Sequence, residues 1–333
     1  MNSQSSAFTT LDFNKLGRQV GYFSIPHSPH EDAWGTCRIP MAVIANGEGP
    51  TVILQGGNHG DEYEGPITLG EIIRELDPAS IQGRLIILPT INASAVASGK
   101  RTSPVDGLNL NRCYPGDHSG TLTEQTAAYI NDYIYPIGDA FLDLHSGGSS
   151  LEFIPSAIVQ PTDDLEHTSR NVAAVKAFDA PLTVVVDNLG ETRTATAAAV
   201  AAGLTTVGTE LAGAGTVNKK ALSICRRGVR NVLSHLGVLD QPIGPQTSSG
   251  DILKVPGTEG FVFAEEDGVF ESFHNLGDKV RAGEPAGQVH HLLSPERPPL
   301  VLRFVRDGII YARRPTGRVR RGNCCLVVAV PEN

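Results

Sequence analysis

The sequence has few basic residues. Its 27 lysines and arginines are outnumbered by 36 aspartates and glutamates, which leaves a net charge of −9 at pH 7. Because phosphate contacts require a basic face, this balance argues against a nucleic-acid partner, and it argues equally against an anionic membrane surface. No stretch approaches the roughly 20 apolar residues of a membrane-spanning helix. We therefore expect neither nucleic acid nor membrane as a partner, while an acidic total still allows a local basic pocket for an anionic small molecule.

Cysteine is scarce as well. The five cysteines are odd in number and contain no CxxC pair, so neither a cysteine zinc motif nor a complete disulfide framework is indicated. The first residues, MNSQSSAFTTLDF, lack the basic start and apolar run of a signal peptide. We expect a cytoplasmic protein whose cysteines are reduced thiols: Cys37, Cys113, Cys225, Cys324 and Cys325.

Short apolar runs alternate with segments of helical spacing through the first two thirds of the chain. The runs rich in leucine and β-branched residues predict strands at 51–55, 84–90, 140–145, 182–187 and 205–211. Helical spacing of apolar residues predicts helices at 67–76, 123–134, 169–178 and 194–203. This alternation indicates an α/β domain with a mixed central sheet flanked by helices.

The remaining segments differ in composition. Residues 1–17 indicate a weakly ordered N-terminal arm, and residues 18–240 would form the α/β domain. A cluster of Pro, Gly, Ser and Gln begins at residue 241, after which glycine-punctuated apolar runs predict a smaller β-rich domain over 241–333. This tail offers a contact surface for a homo-oligomer.

The segment GGNHGDEYEG, residues 56–65, has the strongest chemical signal. His59 and Glu62 are three residues apart, so in a helical turn both side chains could reach one metal ion. A second histidine, His145, closes the strand FLDLH, and Asp143 on the same face of that strand could orient an imidazole. Two histidines and one glutamate with an open fourth position form a catalytic zinc set. An isolated HxxE more often marks an exposed pair on a helix, but the glycine turns at two strand ends favour the metal site.

A hydrolytic metal centre also needs a general base. Glu210 is the candidate, because TTVGTELAGAG places this acid at a strand end before a glycine-rich loop. Glu64, Glu152 and Glu191 are the competing acids.

The polar segment 100–116 contributes two arginines. Arg112 could bind a carboxylate through its planar guanidinium, and Arg101 could stabilise an oxyanion at the scissile carbonyl. Composition alone favours the alternative, in which both arginines are surface residues paired with nearby acids.

Four motifs in this order, HGDE, LNLNR, DLHSGG and GTELAG, resemble the succinylglutamate desuccinylase and aspartoacylase family of the zinc carboxypeptidase superfamily. The resemblance covers about residues 40–330. It implies a zinc carboxypeptidase-like fold and one zinc ion held by His59, Glu62 and His145. It further implies that Glu210 is the general base.

The same resemblance implies a substrate-binding role for LNLNR, in which Asn111 and Arg112 bind the α-carboxylate of an N-acyl amino acid. Arg101 would be the oxyanion arginine, although its spacing from Arg112 varies in the family. Within the family, residues 24–66 are most similar to deacetylases of ectoine breakdown, which implies N-acetyl-L-2,4-diaminobutyrate as the substrate. Its cationic side chain would require an acid nearby, and Asp187 and Glu191 are the candidates.

The tail segment GVFESFHNLGDKVRAGEPAGQV resembles the lipoyl or biotinyl barrel. A carrier domain would need a modifiable lysine at a hairpin tip, whereas Lys279 lies inside the GDKV motif, so a structural role is favoured. Three alternatives to deacetylation remain open. They are removal of a succinyl or other acyl group, carboxypeptidase activity on peptides, and a non-catalytic metal-binding or ligand-binding protein on the same scaffold.

Overall fold

The computed structural model describes residues 5–186, 188–241 and 251–332. Ten strands precede residue 241: β1 (Phe8–Thr9), β2 (Gly17–Pro26), β3 (Thr36–Asn46), β4 (Thr51–Gly56), β5 (Gly83–Leu88), β6 (Ala140–Leu144), β7 (Glu152–Phe153), β8 (Ser156–Val159), β9 (Leu182–Val185) and β10 (Thr205–Glu210). Nine follow residue 250: β11 (Ile252–Lys254), β12 (Phe261–Phe263), β13 (Gly268–Ser272), β14 (Lys279–Val280), β15 (Pro285–His290), β16 (Leu300–Arg303), β17 (Gly308–Arg313), β18 (Arg318–Val319) and β19 (Cys324–Pro331). The α-helices are α1 (Glu64–Glu75), α2 (Ala93–Ser98), α3 (Leu122–Tyr129), α4 (Leu165–Phe178), α5 (Ala195–Ala201) and α6 (Lys219–His235).

A large mixed sheet forms the centre of the molecule. Its strands follow the order β1-β2-β3-β5-β4-β6-β10-β8-β9-β11-β19-β17-β14. Strands β5, β4, β6 and β10 are mutually parallel. Strands β2 and β3 pair antiparallel with their neighbours, and β8 is antiparallel to β10 but parallel to β9. The predicted mixed α/β fold is therefore confirmed. The arm predicted over residues 1–17 includes β1, which pairs with β2.

Alternate residues of the central strands face opposite layers of helices. Val52 and Leu54 of β4 belong to a core with α1, α4 and α6, whereas Ile53 packs into a core with α3 and α5. This division follows from the two-residue period of a strand. Both faces of the sheet are covered, which explains the nearly continuous apolar runs of the parallel strands.

The predicted helices are present with shifted ends. The helix predicted from 123 begins at Leu122, because Thr121 caps it and forms a reciprocal capping box with Glu124. Its final turns, Ile130–Ile134, widen into a π-helix. Among the described residues, no helix is both long and apolar enough to cross a bilayer.

The C-terminal strands divide between two sheets. Strands β12, β19, β17 and β14 belong to the large sheet, whereas β16, β15, β13 and β18 form a separate four-stranded sheet. Buried residues of both sheets, including Phe270, Val289 and Ile310, form a core of their own. Through β11 and β19, however, the C-terminal strands continue the central sheet at β9. Most of the predicted linker, residues 242–250, lies outside the described residues.

Candidate metal centre and active-site cavity

Two of the predicted metal ligands lie in the turn that joins β4 to α1. Gly57 adopts a φ of +65° at the start of this turn, and a Cβ at Gly60 would lie 2.0 Å from the carbonyl oxygen of Ala95. Because α1 begins at Glu64, His59 and Glu62 precede the helix and do not share one of its turns, which differs from the predicted helical placement. Their side chains still meet, with His59 Nδ1 2.6 Å from Glu62 Oε1.

The third predicted ligand comes from the neighbouring parallel strand. His145 directly follows β6, and its Nδ1 lies 2.9 Å from Glu62 Oε2. One ligand atom from each of the three residues can be chosen so that all lie within 4.8 Å of one another. Two imidazoles and a carboxylate at this spacing suit a divalent transition metal, zinc above all. The cluster therefore could bind a metal.

Both imidazole rings are oriented by hydrogen bonds on the side away from Glu62. His145 Nε2 lies 2.9 Å from Asp143 Oδ2, and the other oxygen of Asp143 accepts from Gln55 Nε2 at 3.1 Å. His59 Nε2 lies 3.2 Å from Asn109 Oδ1. These acceptors favour protonated Nε2 atoms and leave each Nδ1 to face the centre of the cluster. The sequence indicated Asp143, whereas Asn109 lies inside LNLNR and Gln55 ends a predicted strand without having been singled out.

The cluster is electrostatically coupled. Burial opposes ionisation of Glu62, but the two imidazoles hold its pKa below the ordinary value. Burial also opposes protonation of His145, yet the carboxylates of Asp143 and Glu62 raise its pKa well above the ordinary value. For His59, burial prevails and lowers the pKa. As candidate ligands, Glu62 is therefore ionised and His59 is neutral.

Glu210 ends β10, the parallel neighbour of β6, and lines the same cavity as the three ligand residues. Burial and the negative charge of Glu62 raise its pKa to about 8. Two competing acids are engaged elsewhere: Glu152 pairs with Arg313 at 2.8 Å, and Glu64 accepts from the Asn218 backbone at 2.9 Å. The position of Glu210 suits a group that takes and returns a proton.

The segment 100–112 folds over the cluster. Arg101 Nη1 lies 3.7 Å from Glu62 Oε1, so this arginine is at the candidate metal site rather than on a distant surface. Asn111 accepts from the Ala195 backbone at 2.8 Å through Oδ1, which orients its NH₂ group. Arg112 is half-buried and lies 3.6 Å from Glu191.

These residues share a cavity of about 340 Å³. The C-terminal strands and the segment leading into them contribute apolar and aromatic side chains to its wall: Val255, Phe261, Tyr311 and Val327. Of the two acids predicted for a cationic substrate group, Glu191 is engaged by Arg193 at 2.8 Å, and Asp187 lies outside the described residues. The cavity therefore combines a polar side with an apolar one, as small-molecule sites commonly do.

The mixed α/β sheet brings a candidate metal site, a buried carboxylate and two arginines to one cavity. This combination is typical of hydrolases that act on small carboxylate-bearing substrates. The chain belongs to the succinylglutamate desuccinylase/aspartoacylase family, whose catalytic-domain model matches residues 48–236. The family resemblance predicted from the four motifs is thus confirmed.

Relatives match almost the entire chain. An N-alpha-acetyl-L-2,4-diaminobutyric acid deacetylase of Halomonas elongata is 39% identical over 320 residues, which cover 96% of this chain and 94% of the relative. The product-bound structure of the ectoine utilization protein EutE (DoeB) from Ruegeria pomeroyi is 37% identical with a TM-score of 0.95, and the match covers 98% of this chain and 100% of that one. A succinylglutamate desuccinylase/aspartoacylase structure from Rhodobacter sphaeroides is 39% identical with a TM-score of 0.92 at the same coverage.

Proposed function

We propose that this protein hydrolyses the amide bond of N-acetyl-L-2,4-diaminobutyrate in ectoine degradation and releases acetate and L-2,4-diaminobutyrate. One observation carries the proposal: the three candidate ligands share a cavity with Glu210, Asn111 and Arg112. The names of the Halomonas and Ruegeria relatives support the choice of substrate.

In this proposal the resident metal is one zinc ion held by His59, Glu62 and His145. The donor set and its spacing fit zinc, and the hydrogen bonds that the two imidazoles donate to Asp143 and Asn109 fix both rings in the required orientation. Bound zinc would supply Lewis acidity, which acidifies water and polarises the acyl carbonyl.

Substrate binding is assigned to LNLNR. The α-carboxylate would lie against the guanidinium of Arg112 and the NH₂ group of Asn111. Arg112 now lies 3.6 Å from Glu191, which is too long for a good hydrogen bond, so a substrate carboxylate could bind in a bidentate manner at shorter distance.

Proton transfer is assigned to Glu210 and charge stabilisation to Arg101. Glu210 would take the proton from water as it attacks the acyl carbon and then deliver it to the departing amine nitrogen. Arg101 would stabilise the negative charge that develops on the carbonyl oxygen. Its position beside Glu62 supports this role.

The cationic end of the substrate remains assigned to the loop that contains Asp187 and Glu191. Glu191 already pairs with Arg193, so an ammonium group of the substrate would share this carboxylate with the guanidinium. Replacing Glu191 with Gln should raise KM for the acetylated diamine more than for N-acetyl-L-2-aminobutyrate, which lacks the second amine. Equal changes for both substrates would exclude an interaction between Glu191 and the ammonium group.

A second candidate function is desuccinylation, which the name of the Rhodobacter structure favours. A succinyl group adds a carboxylate that requires its own cationic partner. Among the described residues that line the cavity, Arg101 and Arg112 are the basic side chains other than histidine. Both already have roles, and the cavity therefore supports an acetyl group over a succinyl group.

The decisive experiment measures release of free amine from N-acetyl-L-2,4-diaminobutyrate, N-succinyl-L-glutamate, N-acetyl-L-aspartate and dipeptides. We expect the highest kcat/KM for the acetylated diamine, loss of activity with a chelator and recovery with zinc. Preference for the succinyl substrate or for dipeptides would support a rival hydrolase. Bound zinc without turnover of any substrate would indicate a non-catalytic binding protein.

We also propose domain boundaries at 18–240 and 241–333, with a lipoyl-type barrel in the C-terminal part. The two facing sheets and their own core support this division. The five free thiols fit the predicted reducing, cytoplasmic environment.

A further inference from the structure

Asp61 is a buried acid without a role in the chemistry proposed above. It lies between His59 and Glu62 in the chain, and its side chain is 4% exposed. Its Oδ2 accepts two hydrogen bonds from Ser149, one from the backbone nitrogen and one from the hydroxyl, both at 2.7 Å. Burying a carboxylate costs free energy unless hydrogen bonds compensate for the lost water, and the two bonds from Ser149 provide this compensation.

The contact joins the two loops that supply the candidate ligands. One loop contains His59 and Glu62, and the other follows His145 and contains Ser149. Glu62 also spans them, since its Oε2 accepts from the Ser146 backbone at 3.2 Å. The oxygens of Glu62, however, are the ones that face the two imidazoles. Asp61 connects the loops without using a ligand atom.

Gly148 shows how closely the two loops fit. Its φ is +54°, and a Cβ built there would lie 2.7 Å from Oδ2 of Asp61. Glycine therefore serves two purposes: it permits the left-handed backbone, and it leaves room for the carboxylate. The second loop is shaped around Asp61.

We propose that Asp61 is a positioning residue that fixes the separation between Glu62 and His145 for metal binding. This inference rests on the proposed metal site. Metal sites tolerate only small errors in ligand placement, about 0.5 Å, so loss of the connection should weaken binding even with all three ligands intact.

The test measures zinc affinity of the full-length protein by competition with a chromophoric chelator. Asp61→Ala should weaken zinc binding about 10- to 100-fold, the range seen when groups behind the ligands are removed. Asp61→Asn keeps an oxygen that can accept both hydrogen bonds and should lose less. Ser149→Ala removes one of the two donors and should also lose less. Gly148→Ala, which perturbs the contact from the other loop, should weaken zinc binding as Asp61→Ala does.

Asp164 provides a matched control for general destabilisation. Its Oδ1 caps α4 by accepting from the backbone nitrogens of Glu166 and His167 at 2.8 and 3.1 Å. Asp164→Ala should lower Tm while wild-type zinc affinity is retained. If Asp61→Ala behaves in the same way, or if it misfolds while Asp61→Asn and Ser149→Ala bind zinc like the wild type, the positioning role is wrong. If the wild-type protein itself binds no zinc, the proposed function fails first.

Discussion

Replacing Glu210 with Gln separates its proposed role in proton transfer from its contribution to stability. The substitution keeps the size and shape of the side chain but removes the group that would accept a proton from water. General acid–base catalysis contributes about 10²- to 10⁴-fold, so we expect kcat to fall by that factor. Zinc content should be unchanged, because the proposed ligands His59, Glu62 and His145 remain in place.

The same substitution should change the pH dependence of stability in the metal-free protein. The folded-state pKa of Glu210 is about 8, compared with an ordinary value of 4.5. Between these values the folded protein keeps a proton that the unfolded chain has lost, so stability falls as pH rises from about 4.5 to about 8. At pH 7 this lowers the free energy of unfolding by at most about 3 kcal/mol. The Gln variant does not ionise, so its stability should not show this decrease.

Two measurements check these expectations. Turnover and zinc content are compared for the wild type, Glu210→Gln and Glu152→Gln, a control whose carboxylate pairs with Arg313 outside the cavity. Thermal unfolding of the metal-free proteins, prepared with a chelator, is then followed at pH 5 and pH 8. The Tm of the Gln variant should exceed that of the wild type by several degrees only at pH 8. A Glu210→Gln enzyme that retains activity within tenfold of the wild type would refute the assignment of the base.

Three further predictions concern Arg112, Asp143 and Gly60, the last with Gly70 as its control. Arg112→Lys should raise KM about tenfold with little change in kcat, because lysine cannot form a bidentate pair with the α-carboxylate; steady-state kinetics checks this. Asp143→Asn should weaken zinc binding about 10- to 100-fold in a chelator competition, since the amide is a poorer acceptor for an imidazole. Gly60→Ala should destabilise the fold by about 3 kcal/mol in denaturant unfolding, because the new Cβ would lie 2.0 Å from the Ala95 carbonyl oxygen. Gly70→Ala in α1 is the control: its Cβ would meet only the flexible side chain of Arg74, and the substitution should stabilise the protein by about 0.5 kcal/mol.

The strand ends were the most predictable part of the site. Strands β4, β6 and β10 are parallel: Glu210 ends β10, His145 directly follows β6, and His59 lies three residues after β4. Ligands collect at that edge of an α/β sheet. The sequence therefore placed His59, His145 and Glu210 together correctly. The fold class followed from the same alternation of strand and helix.

Some elements were missed although their sequence signals were present. Apolar residues of α6, such as Ile224, Cys225 and Val232, recur at helical spacing, but the segment's many basic residues concealed them. The long hairpin of β2 and β3 was also missed. Its exposed positions, including Val20 and Tyr22, are apolar, which hides the usual alternation of a half-buried strand.

Other features could not have been predicted from the sequence. Asn109 contacts the site only because the loop 100–112 folds over the cluster, and a long loop carries no local signal for its path. Gln55 contacts Asp143 because β4 and β6 are neighbours in a register that places these two residues opposite each other. The pairing of Glu191 with Arg193 depends equally on side-chain orientation, which spacing does not determine.

The continuation of the central sheet into the C-terminal strands also bears on where the chain can be cut. The family's catalytic-domain model ends at residue 236, yet β9 has β11 as its neighbour, and β11 in turn pairs with β19. A fragment ending there would leave the backbone amides and carbonyls along one side of β9 unpaired, the arrangement that promotes association between chains. It would also lack the Tyr311 and Val327 wall of the cavity. The segment that matches the catalytic-domain model is thus smaller than the unit that completes the sheet and encloses the cavity.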